Sequence, residues 1–306
     1  MDEPVQFRSG NDTLAAVLTR PAAPTGPVPL VIMAGGWCYT KEIVMPYYAK
    51  RFNAIGCATL RFDYRNFGES TGEPRQHINS WSQIEDYRNA LSYARTLPGI
   101  EPSKIGIWGI SYSGGHVLIV SALDHRPAFA ISTIPVIDGR QTMRRVHGEV
   151  RFAKLTALID EDRRRRFNGE QSAIMKMSPS DSDAEMSTWP FPHVYSGFMA
   201  IKRKEAPLHE HVNTVESTEN LLAYRAIPYA REVFETPVLM TLARGDNITS
   251  ADLEIEAFNA IPNPNKKLIS VRGVDHMSLY TNADHLGKVG QIQASWLKGV
   301  LASIDS

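Results

Sequence analysis

The residues of this sequence that are best placed to do chemistry surround Ser111, in the stretch WGISYSGG. The apolar run IGIW comes just before this serine and HVLIV just after it, which is typical of a sharp turn between a strand and a helix. Such a turn needs small residues two positions to either side, and here these are Gly109 and, where glycine is usual, Ser113. The pattern predicts that Ser111 is a nucleophile. The alternative is a glycine-rich turn in which its hydroxyl is incidental.

A serine hydroxyl becomes a nucleophile at neutral pH when a histidine accepts its proton and a carboxylate orients that histidine, in the chain order serine, acid, histidine. Asp246 follows the apolar run PVLMTLA, and His276 follows KLISV. The gap between them accommodates one helix and one strand, so we predict that both lie at the carboxyl ends of parallel strands. Asp138, at the end of FAISTIPVID, is the alternative acid, whereas Asp275 would have to fold back onto the neighbouring ring.

A tetrahedral oxyanion requires N–H donors that are already in position before the reaction. The residue after the nucleophile supplies one such donor, which here is the backbone N–H of Tyr112. The second is predicted from the loop GGW that follows the run VPLVIMA, with the N–H of Trp37 preferred and that of Gly36 next. A glycine-rich loop without a catalytic role is the alternative interpretation.

The elements that would position these residues alternate between short apolar runs and helical periods. VQFRS and TLAAVLTRP predict an opening antiparallel pair, and VPLVIMA, CATLRF, KIGIW and FAISTI predict buried strands. Pro46 is expected to open the first helix, and Ser80 with Gln83 forms a capping box that is expected to open the second. This alternation predicts an α/β fold with a mostly parallel central sheet and flanking helices.

The alternation is interrupted after residue 138. Residues 139–235 are more charged, have no clear strand and contain the aromatic patch WPFPHVYSGF. We predict a helical cap at 139–235, inserted into an α/β core formed by 1–138 and 236–306.

Several cap residues have side chains that could contact a ligand. Trp189, Phe191 and Tyr195 are predicted, together with Gly36, to bind an apolar substrate, and simple packing within the cap is the alternative for the three rings. The segment PLHEHVN does not have the spacing of a metal site, so its histidines are interpreted as ordinary polar residues and no metal is expected.

The charge and cysteine content exclude several classes of protein. Lys and Arg together number 33, as do Asp and Glu together, which gives no long-range attraction to nucleic acid or anionic lipid. Two cysteines are too few for a disulfide framework, and no stretch approaches the roughly 18 apolar residues of a membrane span. We therefore expect a cytoplasmic protein without nucleic-acid or membrane partners. The sequence leaves open whether it forms a homodimer.

Several blocks resemble the α/β-hydrolase superfamily: AGGWCYTKE, FDYRNFGES, GISYSGG, ARGD and GVDH, in this order. Within it, GISYSGG and FDYRNFGESTGEPRQ are similar to the dienelactone-hydrolase-like and X-Pro-peptidase-like branch that includes polyketide thiohydrolases and acyl transferases. The resemblance implies serine-dependent ester, thioester or amide chemistry without a cofactor or metal. Two departures are Gly35, where many members carry histidine, and Ser113 in the turn after the nucleophile.

These observations predict a serine hydrolase that cleaves an ester or thioester of a small, largely apolar acyl compound. Ser111 would attack the acyl carbon, His276 would take the proton, and Asp246 would orient the imidazole. Acyl transfer to an alcohol or amine through the same residues is the alternative reaction, and a non-catalytic binding protein on the same fold is the alternative class.

Overall fold

A computed structural model describes residues 2–181 and 186–304. Its strands are β1 (Asp2–Ser9), β2 (Asp12–Thr19), β3 (Val28–Ala34), β4 (Ala58–Phe62), β5 (Ile100–Ile110), β6 (Ala130–Thr133), β7 (Ile174–Lys176), β8 (Val212–Thr214), β9 (Val238–Ala243) and β10 (Lys266–Val271). Its helices are α1 (Met45–Ala54), α2 (Ser80–Ala94), α3 (Tyr112–Leu123), α4 (Gly139–Phe167), α5 (Pro192–Lys204), α6 (Val215–Ala223), α7 (Ile227–Ala230), α8 (Ala251–Ala260), α9 (Ser278–Thr281) and α10 (Ala283–Ile304).

The central sheet has eight strands in the order β1-β2-β4-β3-β5-β6-β9-β10. β2 pairs antiparallel with both β1 and β4, whereas every later pair in this order is parallel. The carboxyl ends of the six parallel strands therefore lie at the same edge of the sheet; these strands are β4, β3, β5, β6, β9 and β10. This arrangement confirms the predicted mostly parallel central sheet, opened by an antiparallel pair.

The central strands are continuous apolar runs because helices cover both of their faces. Leu30 and Ile32 of β3 are completely buried, and so is Trp108 of β5. The indole Nε1 of Trp108 donates to Oε1 of Gln293 at 2.9 Å, which joins α10 to the sheet through a satisfied buried polar pair. None of the helices that the structure describes is long and apolar enough to span a membrane.

The start of α2 differs by one residue from the predicted capping box. Asn79, not Ser80, is the capping residue, and its Oδ1 accepts from the backbone N–H groups of Trp81 and Ser82 at 3.0 and 3.1 Å. An asparagine oxygen can reach both of these first-turn donors, which have no partner within the helix. Ser80 is instead the first helical residue.

The inserted segment, residues 139–235, lies between β6 and β9 and adds no strand to the central sheet within its described part. It contains α4 to α7, and α4 is interrupted at Gly148, whose φ is 65°. It also contains β7 and β8, which pair antiparallel in a separate sheet. The expectation of helices alone is therefore wrong in this detail, because strands of three residues are too short to produce a recognisable alternation.

Candidate active site

Ser111 lies on the turn between β5 and α3, at the carboxyl edge of the sheet. Its φ and ψ are 56° and −119°, a strained conformation for a residue with a side chain. Three backbone hydrogen bonds hold it there: its N–H donates to the carbonyl of Thr133 at 2.9 Å, and its carbonyl accepts from Gly114 at 2.9 Å and Val136 at 3.0 Å. The surrounding backbone therefore imposes the sharp turn that the sequence predicted.

The small residues beside Ser111 have different roles in this turn. A Cβ added to Gly109 would lie 2.2 Å from the carbonyl oxygen of Ser113, so only glycine fits at that position. The hydroxyl of Ser113 instead donates to the carbonyl of Gly35 and accepts from the hydroxyl of Tyr64, the latter at 2.6 Å. Ser113 thus leaves the turn intact and bonds it to the loop that follows β3.

His276 and Asp246 lie at the ends of neighbouring parallel strands and form a hydrogen-bonded pair. Nδ1 of the imidazole lies 2.7 Å from Oδ2 of Asp246, and because a carboxylate can only accept, the ring donates from Nδ1 and leaves Nε2 free to accept. Burial alone would raise the pKa of Asp246, but His276 and the N–H groups of Thr249 and Ile248 outweigh it and hold that pKa below its ordinary value. His276 and Ser111 line the same cavity.

The two other acids considered from the sequence lie elsewhere. Asp138 caps α4, where its Oδ1 accepts from the backbone N–H of Gln141 at 2.8 Å. The carboxylate of Asp275 accepts from the backbone N–H of Ser278 at 2.8 Å, within the loop that leads into α9. Each thus stabilises a helix start or a turn, and it is Asp246 that bonds the imidazole of His276.

The loop after β3 approaches Ser111 closely. A Cβ on Gly36 would lie 2.9 Å from the Cβ of Ser111, so the glycine permits this approach. Trp37 follows, with its ring 5.1 Å from that of Tyr112. α3 begins at Tyr112, so its backbone N–H is one of the first-turn donors that have no partner within a helix. The two predicted oxyanion donors therefore belong to the two chain segments that meet at Ser111.

The cavity at Ser111 is small and mostly apolar. It leaves about 20 Å³ for the centre of a water-sized molecule, which is little more than the roughly 10–15 Å³ that one water needs. The wall consists of Trp37, Tyr39, Ser111, Met177, Trp189, Val194, Phe198, Ile248, His276 and Met277.

Two of the four predicted substrate-binding residues lie at the site, and the other two have different neighbours. Trp189 lies in the cavity wall and Gly36 lies against Ser111. Phe191 and Tyr195 have other neighbours: their rings contact His193 and His211, at centroid distances of 5.4 and 5.3 Å. Substrate contact by these two aromatic residues stays a prediction.

Sequence reasoning missed about half of the cavity wall. Ile248 and Met277 could have been found, since they lie next to the predicted acid and histidine in the chain. Tyr39 follows the predicted oxyanion loop by two residues. Val194 lies within the aromatic patch WPFPHVYSGF, whereas Met177 carries no sequence signal, because only the folding of the inserted segment brings it to Ser111.

A buried ionic cluster supports the loop after β3. Asp63 accepts from the backbone N–H of Lys41 at 2.6 Å and from its Nζ at 2.8 Å, and Nζ also donates to Glu69. Burial alone would lower the pKa of Lys41, but the two carboxylates outweigh it and raise that pKa. Asp63 is therefore a structural anchor of this loop. Cys38 in the same loop is buried, which raises the pKa of its thiol well above the ordinary value.

His209 and His211 form a hydrogen-bonded chain, in which Nε2 of the first lies 3.0 Å from Nδ1 of the second. The chain continues to the carbonyl of Cys38 at 2.9 Å on one side and to the hydroxyl of Ser178 at 2.6 Å on the other. Burial lowers the pKa of His209 to about 4 and that of His211 to about 3, so both rings are neutral at physiological pH. Across residues 2–181 and 186–304, no three histidine, cysteine or acidic side chains are grouped as a metal site requires.

Comparison with known proteins places this chain in a family. The family model of the X-Pro dipeptidyl-peptidase (S15 family) matches residues 9–278. The quorum-quenching protein AidA of Acinetobacter baumannii is 32% identical over 260 residues, which cover 85% of this chain and 83% of that protein. The thiohydrolase aneE of Aspergillus aculeatus is 30% identical, covering 90% and 86%. The polyketide transferase af380 of Aspergillus fumigatus is 28% identical, covering 88% and 89%.

Solved structures show the same fold. The crystal structure of the α/β hydrolase GrgF from Penicillium sp. sh18 superposes with a TM-score of 0.82 at 23% identity, and the match covers 99% of each chain. An identity this low supports the fold alone. The family match covers most of the chain and includes the turn at Ser111, both strand ends and the inserted segment. The chain therefore belongs to the X-Pro dipeptidyl-peptidase (S15) family and is an α/β-hydrolase enzyme of the serine-hydrolase type.

Proposed function

We propose that this enzyme hydrolyses a thioester or ester of a small apolar acyl compound through an acyl-enzyme on Ser111. The observation that carries the proposal is the 2.7 Å hydrogen bond between His276 and Asp246, with the ring in the same cavity as the serine hydroxyl. A relative named as a thiohydrolase, 30% identical over most of both chains, favours the thioester.

The chemistry follows from which atoms remain free. Nε2 of His276 takes the proton of Ser111 as its oxygen attacks the carbonyl carbon, and it returns that proton to the leaving thiol or alcohol. Asp246 remains ionised and stabilises the imidazolium that forms, because N–H and O–H donors surround its carboxylate. Water then attacks the acyl-enzyme, again activated by His276, and releases a carboxylic acid.

The oxyanion of each tetrahedral intermediate would be bound by the backbone N–H groups of Tyr112 and Trp37. Their positions support this role, since they lie on the two chain segments that meet at Ser111. Removing one such donor typically raises a barrier by about 2.7 to 4 kcal/mol. Rigid placement of both segments is therefore a condition for activity.

The cavity wall supports an apolar acyl group. Besides Ser111 and His276, it presents tryptophan, tyrosine, phenylalanine, methionine, valine and isoleucine side chains, and among the residues that the structure describes it has no lysine, arginine, aspartate or glutamate. A charged group next to the acyl carbon would lose its hydration without gaining a partner there. We propose that the inserted segment acts as the cap that closes over this acyl group.

Acyl transfer is the second function that a specific observation favours. In this reaction, an acceptor alcohol or amine that occupies the site after the leaving group departs would exclude water from the acyl-enzyme. A relative at 28% identity is named as a polyketide transferase. Product analysis with and without an added alcohol or amine separates the two reactions.

Labelling with a fluorophosphonate tests the proposed nucleophile. We expect the wild-type enzyme to gain one phosphonyl group and Ser111→Ala to gain none. Ser121→Ala is the matched control, because Ser121 lies on α3, is also buried, and donates only to the carbonyl of Val117. If Ser111→Ala is labelled as fast as the wild-type enzyme, the proposal is wrong. Hydrolysis of acyl thioesters and p-nitrophenyl esters of varied length would then define the substrate.

A further inference from the structure

The loop that would supply the second oxyanion donor is bonded to the inserted segment. We define residues 35–38 as the oxyanion loop. The indole Nε1 of Trp37 donates to Oδ1 of Asn213 at 2.9 Å, and the thiol of Cys38 lies 3.4 Å from the carbonyl of Val212. The carbonyl of Cys38 accepts from Nδ1 of His209 at 2.9 Å. Three bonds from residues 209–213 thus fix Trp37, whose backbone N–H is the proposed donor, and Cys38, which follows it.

The orientation of the Asn213 amide is determined by its other partners. Its Oδ1 also accepts from the hydroxyl of Thr188 at 2.9 Å, and its Nδ2 donates to the carbonyl of Thr214 at 2.9 Å. Asn213 is completely buried, so a reversed amide would place its nitrogen against the indole N–H and its oxygen against the carbonyl of Thr214, which leaves Trp37 without an acceptor. The amide therefore has one satisfied orientation, with its oxygen towards the indole.

The histidine chain has a single direction for the same reason. The Nδ1–H of His209 donates to Cys38, so its Nε2 must accept from Nδ1 of His211 at 3.0 Å. Nε2 of His211 is then the acceptor for the hydroxyl of Ser178. The single N–H of each neutral ring is therefore used, and that of His209 holds the backbone carbonyl of Cys38 in the oxyanion loop.

The oxyanion loop needs such support because its conformation is strained. Cys38 has a φ of 60°, which is unfavourable for a residue with a side chain and persists only where the surroundings impose it. On the side of the sheet, the loop is held by the bond from Ser113 to Gly35. On the other side, residues 209–213 of the inserted segment hold Trp37 and Cys38 through the three bonds given above.

We propose that Asn213 is a positioning residue, assisted by His209, that fixes the backbone N–H of Trp37 where the oxyanion forms. The inserted segment would thus contribute to transition-state stabilisation without touching the reacting atoms, in addition to covering the acyl group. This inference rests on the proposed function, because it requires a tetrahedral intermediate on Ser111.

Two variants remove the same hydrogen bond from opposite sides. Trp37→Phe removes the indole N–H while keeping an aromatic ring, and Asn213→Ala removes the acceptor. A donor displaced by a fraction of an ångström loses part of its effect, so we expect each variant to lower kcat about 10- to 100-fold with KM changed less than about threefold. The double variant should lower kcat little more than either single one, since both single variants already remove the hydrogen bond between Trp37 and Asn213.

Binding of a boronic acid separates positioning from a general loss of structure. The boronate forms a tetrahedral adduct with a serine hydroxyl and places an oxygen where the oxyanion would be, so its affinity should fall in proportion to kcat/KM in both variants. Asn220→Ala is the matched control: Asn220 also lies in the inserted segment and bonds a core carbonyl, that of Ile78, at 3.0 Å, outside the site. We expect it to lower the melting temperature and to leave kcat and boronate affinity unchanged.

The outcomes distinguish this inference from the proposed function. If the wild-type enzyme reacts with fluorophosphonate through Ser111, yet Trp37→Phe retains wild-type kcat and boronate affinity, the positioning role is wrong and the nucleophile stands. If Asn213→Ala does not fold, Trp37→Phe alone decides in the same way. If neither the wild-type enzyme nor Asn220→Ala reacts with fluorophosphonate, the proposed function fails and the inference fails with it.

Discussion

Replacing Ser113 by alanine tests the hydrogen bonds that join the serine turn to the loop after β3. The hydroxyl of Ser113 donates to the carbonyl of Gly35 and accepts from the hydroxyl of Tyr64 at 2.6 Å, and all three residues are buried. A buried polar group that loses its partner costs about 1–3 kcal/mol. Two such groups predict a loss of about 2–6 kcal/mol in the free energy of unfolding, and the slightly better helix propensity of alanine offsets only a few tenths.

Urea denaturation followed by circular dichroism measures this loss. Ser121→Ala is the matched control on α3, because its hydroxyl bonds a carbonyl one turn earlier within the helix and its removal leaves no new unpaired group in the core. We expect Ser121→Ala to lie within about 0.5 kcal/mol of the wild-type protein. A Ser113→Ala variant as stable as Ser121→Ala, with unchanged urea dependence, would refute the reasoning, since the two bonds would then contribute nothing.

Three further predictions concern buried groups around the site. Gly109→Ala should fail to bind fluorophosphonate or to fold, because its Cβ would lie 2.2 Å from a backbone oxygen of the turn; soluble, labelled protein would contradict this. Burial raises the pKa of Glu254 well above its ordinary value of 4.5, so the folded protein keeps a proton that the unfolded chain releases above that pH. The stability of Glu254→Gln relative to the wild-type protein should therefore increase as the pH rises above 4.5. The full increase is about 1.4 kcal/mol for each pH unit by which folding raises the pKa of Glu254. Thermal melts that show a pH-independent difference would contradict this. Asp246→Asn should lower kcat about 10⁴-fold whereas Asp138→Asn, which retains a helix cap, should not, and equal losses in steady-state rates would refute the choice of acid.

Much of the site could be read from the chain because its signals are local. Ser111 is followed within the same short stretch by the glycines that let a strand turn into a helix, and Asp246 and His276 each directly follow an apolar run. Parallel strands end at one edge, so the sequence order of these runs was enough to predict that the acid and the histidine would meet. The hydrogen bond of 2.7 Å between their side chains agrees with that prediction.

The choice between alternative acids needed the folded structure. Asp138 and Asp246 both follow apolar runs, and their sequence surroundings do not show that one caps a helix while the other faces the imidazole. The hydrogen-bond partners of Ser113 also needed the folded structure. A serine where glycine is usual does not indicate that its hydroxyl bonds Gly35 and Tyr64. An aspartate that follows a strand can accept a hydrogen bond from the next helix turn, as Asp138 does, or from a side chain beyond a neighbouring strand, as Asp246 does. The residue type is the same in both cases.

The sequence by itself determined the sheet, the order of its functional strand ends and the residue types at each end, because apolar periodicity and glycine positions act over a few residues. Only the tertiary structure decided which inserted side chains form the cavity wall and which hold the oxyanion loop. Met177 and Asn213 reach the site across 66 and 102 positions from Ser111 (177 − 111 and 213 − 111). Contacts at that separation depend on how the inserted segment packs against the core, and no local pattern of residues specifies that packing.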